Sequence, residues 1–137
     1  ALLLLDLLRV RAVLPARLAW LDEKLGNATE FLDSVTHPNG ELALFHDSVL
    51  SEGPQAASLS AHARACLAAE QASAPRCIAH RETGFFRARG GGTDIIVFAG
   101  PAAPDYQPGH AHADIFSFEM SIDSRPFIVD GGVHGYA

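Results

Sequence analysis

The period of the hydrophobic residues changes near residues 73–80, and this change is what most restricts the folds open to the chain. Before it, apolar residues recur three and four positions apart, as on one face of a helix. After it, apolar and polar residues alternate with a spacing near two, which is typical of strands. The sequence therefore predicts an α+β chain in two domains, with helices over residues 1–75 and antiparallel β-structure over residues 76–137.

The first half predicts several helical segments. Leucines at helical spacing mark residues 3–14, and the stripe continues over 15–26, where Pro15 can open the first turn and Gly26 is the expected stop. One or two further turns are expected between Asn27 or Thr29 and Val35, before a turn at His37-Pro38-Asn39-Gly40. The Ala- and Leu-rich segment 54–71 predicts the last helix.

The second half predicts four strands, at residues 85–89, 94–98, 115–122 and 126–130. Three glycines at 90–92 separate the first two, and Asp123-Ser124-Arg125 separates the last two. A phosphate-binding loop is not expected at the glycines, because neither a helix nor a Lys-Ser/Thr pair follows them. We predict a hairpin turn there instead.

Charge and hydropathy exclude several functional classes. Ten basic and sixteen acidic residues give a net charge of −6, so binding of nucleic acid through a basic surface is not expected. The opening run of leucines is interrupted by Asp6, Arg9 and Arg11, far short of the roughly 20 apolar residues that a membrane span needs. The pattern of a signal peptide is not seen either. Because the chain starts without Met and stops just after a strand, we expect an internal piece of a longer protein.

The two cysteines do not form a recognisable metal motif. Cys66 and Cys77 lie eleven residues apart, without a CxxC pair and without histidines at zinc-finger spacing. We expect both to be small buried or semi-buried thiols, and a disulfide between them stays open.

Metal-capable and proton-transfer-capable side chains concentrate between residues 108 and 132. In an extended segment, His110 and His112 lie on one face, roughly 6.5–7 Å apart, and Asp130, 18 residues after His112, could return to them on a neighbouring antiparallel strand. Imidazole and carboxylate groups are zinc ligands. Asp114 is a candidate to orient an imidazole, or a strand cap, and His134 is a further candidate ligand. The alternative is that His110 and His112 are two ordinary loop histidines.

Two families with a His-x-His motif do not fit the spacing. Metallo-β-lactamase-type hydrolases use His-x-His-x-Asp-His, but Ile115 stands where the last histidine is required. Cupin dioxygenases place a glutamate three or four residues after the motif, whereas Glu119 follows after six intervening residues. Neither family places a helical segment of this length directly before the motif, although this is an argument from analogy.

The pattern as a whole resembles the heparinase II/III family of polysaccharide lyases, at the junction of a helical toroid domain and a β-sandwich domain. The resemblance extends over almost the whole chain. Its most specific segments are 109–114, 117–119 and 125–132, with weaker support at 36–40, 44–47, 84–87 and 104–106. It implies that residues 1–75 end an (α/α) toroid and that residues 76–137 begin an incomplete antiparallel β-sandwich.

The resemblance also implies a site and a reaction. His112 and Asp130 correspond to two of three ligands of a metal, usually structural zinc, with the third ligand beyond residue 137. His110 corresponds to the family's active-site histidine. The implied activity is β-elimination on an acidic, uronic-acid-containing polysaccharide such as a glycosaminoglycan or alginate, in the periplasm or outside the cell. The alternative function is a non-catalytic, metal-stabilised carbohydrate-binding or structural module.

Overall fold

The computed structural model describes residues 1–46, 48, 53–68, 75–101 and 116–131. These residues form three helices followed by five strands: α1 (Leu2–Val13), α2 (Ala19–Ser34), α3 (Ala56–Leu67), β1 (Cys77–His80), β2 (Phe85–Gly90), β3 (Thr93–Phe98), β4 (Phe118–Ile122) and β5 (Arg125–Ile128). The strands build one antiparallel sheet in the order β1-β2-β3-β4-β5. The predicted α+β class is confirmed.

Leucines at helical spacing build the contact between the helices, as the first half of the sequence predicts. One buried cluster contains Leu4, Leu8, Leu21, Leu25, Leu32, Ala56, Leu59 and Ala63. An ion pair between Arg64 of α3 and Asp33 of α2 lies beside this cluster. None of the helices in the described ranges is both long and apolar enough to cross a lipid bilayer.

Helix α2 differs from its prediction at both ends. It begins at Ala19, four residues after Pro15, and it continues through Gly26 to Ser34. The expected stop at Gly26 was wrong because the apolar stripe continues: Leu25 and Leu32 are both buried on the same packed face. A glycine inside a helix costs about 1 kcal/mol relative to alanine, which is less than a buried leucine contributes.

The turns of two strand hairpins lie where the sequence predicts them. Gly91 and Gly92 turn β2 into β3 with positive φ angles of 57° and 80°. Asp123 and Ser124 turn β4 into β5, also with positive φ at both positions, which is the conformation of a tight type I′ hairpin turn. Strand β1 was not predicted, and its Cys77 is exposed.

The predicted burial of the cysteines was wrong. Cys66 and Cys77 are both free and exposed. Cys66 lies on α3 and pairs with a neighbouring side chain of its own helix, His62, while Cys77 begins the outermost strand. Residues at a strand end and on a solvent-facing helix surface gain little from being small and apolar, so cysteine's usual preference for burial did not apply.

The two faces of the sheet have unusual chemistry. The face toward the helical part carries Arg87, Asp94, Glu119 and Ser121, all buried, beside the apolar Ile96 and Phe98. The opposite face carries the cross-strand rows Phe86, Val97, Phe118 and Ala88, Ile95, Met120, Ile128. On this apolar face Phe118 is 45% exposed and Ile122 is 39% exposed. The buried face is therefore the polar one, which is the reverse of an ordinary half-solvated sheet.

Arg87 joins the sheet to the end of α2. Its guanidinium donates two hydrogen bonds to the carboxylate of Asp94, at 2.8 and 2.6 Å. The remaining terminal nitrogen donates to the carbonyl oxygens of Asp33 and Ser34, at 2.6 and 3.2 Å. Since the last carbonyls of a helix have no partner within the helix, this cation both satisfies them and complements the helix dipole.

Candidate functional site

Of the site residues that the sequence predicts, the structure describes Asp130. His110 and His112 lie outside the described residues, and so do Asp114 and His134. Asp130 is partly buried and follows strand β5. The predicted convergence of His112 and Asp130 on neighbouring strands therefore stays a prediction.

The β4–β5 hairpin fixes the position of Asp130. Its ladder pairs Ile122 with Arg125, and it ends with the pair Met120 and Ile128 after an irregularity of register. Asp130 lies two residues beyond that last pair, where its backbone N–H donates to Oε1 of Glu119 at 3.1 Å. The end of β5 is thus held by a side chain of β4 as well as by the ladder.

Glu119 is the centre of this site. It is 1% exposed, and its carboxylate accepts bonds from three separate segments of the chain. Oε1 accepts from the backbone N–H of Leu44 at 2.7 Å and from that of Asp130 at 3.1 Å. Oε2 lies 2.5 Å from Nε2 of His37. A buried carboxylate is tolerated only with several donors around it, and these three provide them.

His37 contributes the second buried polar group. Its Nε2 faces Glu119, and its Nδ1 lies 2.8 Å from the hydroxyl of Ser121, two residues further along β4. The turn at His37-Pro38-Asn39-Gly40 holds the ring: the N–H of Gly40 donates to the carbonyl of His37, and the N–H of His37 donates to the carbonyl of Glu41. The predicted turn is confirmed, and it places the imidazole of His37 against strand β4.

Sequence reasoning did not find His37, Glu119 and Ser121 as a group. Strand alternation does place Glu119 and Ser121 on one face, opposite Phe118 and Met120. It does not say which face is buried, and the usual rule assigns burial to the apolar one. His37 is separated from Glu119 by 82 residues, so only the folded chain brings them together.

Within the described residues, no group of three or more His, Cys, Asp or Glu side chains is arranged to hold a metal ion. The sequence predicts Asp130 as one ligand, and a carboxylate paired with an imidazole is a donor set that suits zinc.

A separate cavity lies between the helices and the sheet. Its volume is about 770 Å³, and apolar side chains make up most of its lining, including Leu7, Phe31, Phe45 and Phe85. His46, for which the sequence predicts no role, stacks edge-on against Phe98 at a ring distance of 4.3 Å beside it. An apolar lining does not suit a polyanionic ligand, so we do not place the predicted substrate there.

One comparison with known proteins gives a match. The family model described as Heparinase II/III-like, C-terminal matches residues 72–137. No curated protein and no solved structure matches the chain. The matched range contains His110, His112, Glu119, Ser121 and Asp130, whereas His37 lies before it.

Proposed function

We propose that the protein is a polysaccharide lyase, because residues 72–137 match the heparinase II/III-like C-terminal family model. Its substrate is an acidic, uronic-acid-containing chain of the glycosaminoglycan or alginate type, cleaved by β-elimination. The observation that carries the proposal is that the matched range includes both predicted site segments, 109–114 and 125–132.

The chemistry of β-elimination explains why an imidazole is needed. A base removes the C5 proton, the C4–O4 bond breaks, and an acid protonates the departing O4. Negative charge builds on the uronic carboxylate during proton removal, and a hydrogen-bond donor aimed at that charge is worth about 3–4 kcal/mol. We assign His110 to the cleft, as the group that stabilises this charge or carries a proton.

We assign His112 and Asp130 to a structural zinc site, with a third ligand expected beyond residue 137. When bound, the metal would fasten neighbouring strands and release ligand protons on binding. In the described residues, the backbone of Asp130 is held in place: its N–H bonds to Glu119, which is itself held by His37. No catalytic step is assigned to the metal.

The finer architecture is part of the same proposal. We propose that α1, α2 and α3 belong to the end of an (α/α) toroid and that the five-stranded sheet is one layer of a β-sandwich. The apolar outer face of the sheet supports the second assignment, because sandwich sheets bury apolar faces against each other. Long acidic glycans are met outside the cytoplasm, so we place the protein in the periplasm or outside the cell.

The test uses the full-length protein and an acidic polysaccharide. β-Elimination leaves an unsaturated sugar that absorbs in the ultraviolet, whereas hydrolysis or binding leaves none. We expect His110→Ala to lower kcat by about 10²- to 10⁴-fold with the unfolding temperature unchanged. We expect His112→Ala to lose bound zinc and thermal stability.

The same assay distinguishes a lyase from the alternative, non-catalytic function. Binding of the polysaccharide without any unsaturated product, by a zinc-containing wild-type protein, would replace the lyase with a carbohydrate-binding or structural module. If His110→Ala and His112→Ala both behave as wild type, the site assignment is wrong.

A further inference from the structure

Among the described residues, the pairing of β4 with β5 ends before Asp130. The last described pair of β4 and β5 is Met120 with Ile128, and Asp130 comes two residues later. The sequence continues with Gly131 and Gly132, which allow the backbone more conformations than other residues do. A carboxylate that must bind a metal at a fixed place therefore needs another restraint on its backbone.

Glu119 supplies that restraint. Its Oε1 accepts from the N–H of Asp130 at 3.1 Å and from the N–H of Leu44 at 2.7 Å, so one oxygen atom joins the end of β5 to the segment after α2. Its Oε2 is fixed by His37, at 2.5 Å. Because the carboxylate is almost fully buried, water does not compete for these bonds.

We propose that Glu119 is a positioning residue: by holding the backbone of Asp130, it sets the place of that carboxylate in the zinc site. This inference rests on the proposed role of Asp130 as a ligand. Glu119 acts through the length of its side chain and the acceptor Oε1, not through its charge. His37, which lies against Oε2, keeps the carboxylate in this orientation.

The contrast between length and charge gives the test. Glu119→Asp keeps the charge but withdraws the carboxylate by one methylene, so it cannot reach all three donors. Glu119→Gln keeps the length and an acceptor oxygen for the two backbone N–H groups, and its NH₂ can donate to His37 in the other tautomer of the ring. We expect Glu119→Asp to weaken Zn²⁺ binding about 10- to 100-fold, and Glu119→Gln to bind as wild type does.

Ser121→Ala is the matched control for general destabilisation. It removes the hydroxyl that pairs with His37 in the same buried network, but it does not touch Asp130 or Leu44. We expect a lower unfolding temperature with unchanged Zn²⁺ affinity. The measurements are the Kd for Zn²⁺, by competition with a chromophoric chelator, and the visible spectrum of the Co²⁺ form, both on the full-length protein.

The outcomes distinguish this inference from the proposed function. Wild-type affinity in Glu119→Asp, an equal loss in both Glu119 variants, or an equal loss in Ser121→Ala would overturn the positioning role while leaving the lyase intact. A wild-type protein that binds no Zn²⁺ would overturn the zinc site and this inference together, and the lyase assay would then be judged separately.

A measurement on the wild type makes the test independent of whether the variants fold. The N–H of Asp130 should exchange slowly with solvent in the zinc-free protein, because it is bonded to a buried carboxylate. Exchange at the rate of an unfolded chain would contradict the role that we assign to Glu119.

Discussion

Buried charge at single residues holds the helical part and the sheet together. Arg87 and Asp94 share two hydrogen bonds, and Arg87 also satisfies two carbonyl oxygens at the end of α2. Arg89 donates to the same carboxylate at 3.0 Å, but its side chain is partly exposed. The two arginines therefore make the same kind of ion pair with Asp94, one buried and one partly exposed. Substituting each in turn separates the stability due to the buried contact from that due to the charge alone.

This difference gives a prediction for the matched variants Arg87→Met and Arg89→Met. Removing Arg87 takes the donor from the two helix carbonyls and leaves the buried Asp94 with the partly exposed Arg89 alone, so we expect a loss of about 3–5 kcal/mol in the free energy of unfolding. Removing Arg89 breaks a solvent-screened contact, with an expected loss of about 1 kcal/mol or less. Urea unfolding of the three proteins measures both values, and equal losses would contradict the structural role of Arg87.

Individual residues of the candidate site differ in how far the sequence could predict them. The metal site at residues 109–114 and Asp130 could be predicted, and stays a prediction, because its members are close in sequence and of metal-binding type. The Glu119 network was not, since it joins His37 and Leu44 to a residue more than seventy positions away. From sequence alone, a glutamate in a strand is expected to face solvent, because the partners that allow its burial are not known.

At the scale of elements, local signals predicted the type of most segments and misjudged their ends. The hairpin turns were predicted because Gly91, Gly92 and Asp123-Ser124 have a direct conformational reason to be there. Strand β1 was missed because Cys77–His80 is too short and too mixed to show an alternation. The end of α2 was misplaced because a glycine was weighed alone, without the leucines that pack on both sides of it.

Gly26 and Gly91 therefore form a contrasting pair for substitution. Neither would bring a new Cβ within 4 Å of another atom, so packing does not distinguish them. Gly26 lies inside α2, whereas Gly91 has a φ of +57°. We expect Gly26→Ala to raise the free energy of unfolding by about 0.5–1 kcal/mol and Gly91→Ala to lower it by roughly 1 kcal/mol. A loss of stability in Gly26→Ala would contradict a continuous α2, and thermal or urea unfolding measures both.

At the scale of the whole molecule, hydrophobic periodicity could not predict which face of the sheet is buried. Alternation predicts two faces of different polarity, and solvation ordinarily decides that the apolar one is inside. Here the contacts with the end of α2 and with the segment after it bury the polar face, because Arg87 bonds to the former and Glu119 to the latter. In the part of the chain that the structure describes, the apolar face stays partly exposed at Phe118 and Ile122, and the proposed sandwich requires a second layer over it.

Phe118 provides a test of that layer. It is 45% exposed in the described chain and lies in a cross-strand row with Val97 and Phe86 on the apolar face. If a second sheet covers this row, Phe118→Lys places a charge between two apolar layers, and we expect the full-length protein to lose about 2 kcal/mol or more of unfolding free energy. Glu82→Lys, at an exposed position between β1 and β2, is the control and should change stability by less than about 0.5 kcal/mol. Urea unfolding compares the two, and a change in Phe118→Lys as small as that of the control would show that solvent covers this face and would argue against the sandwich.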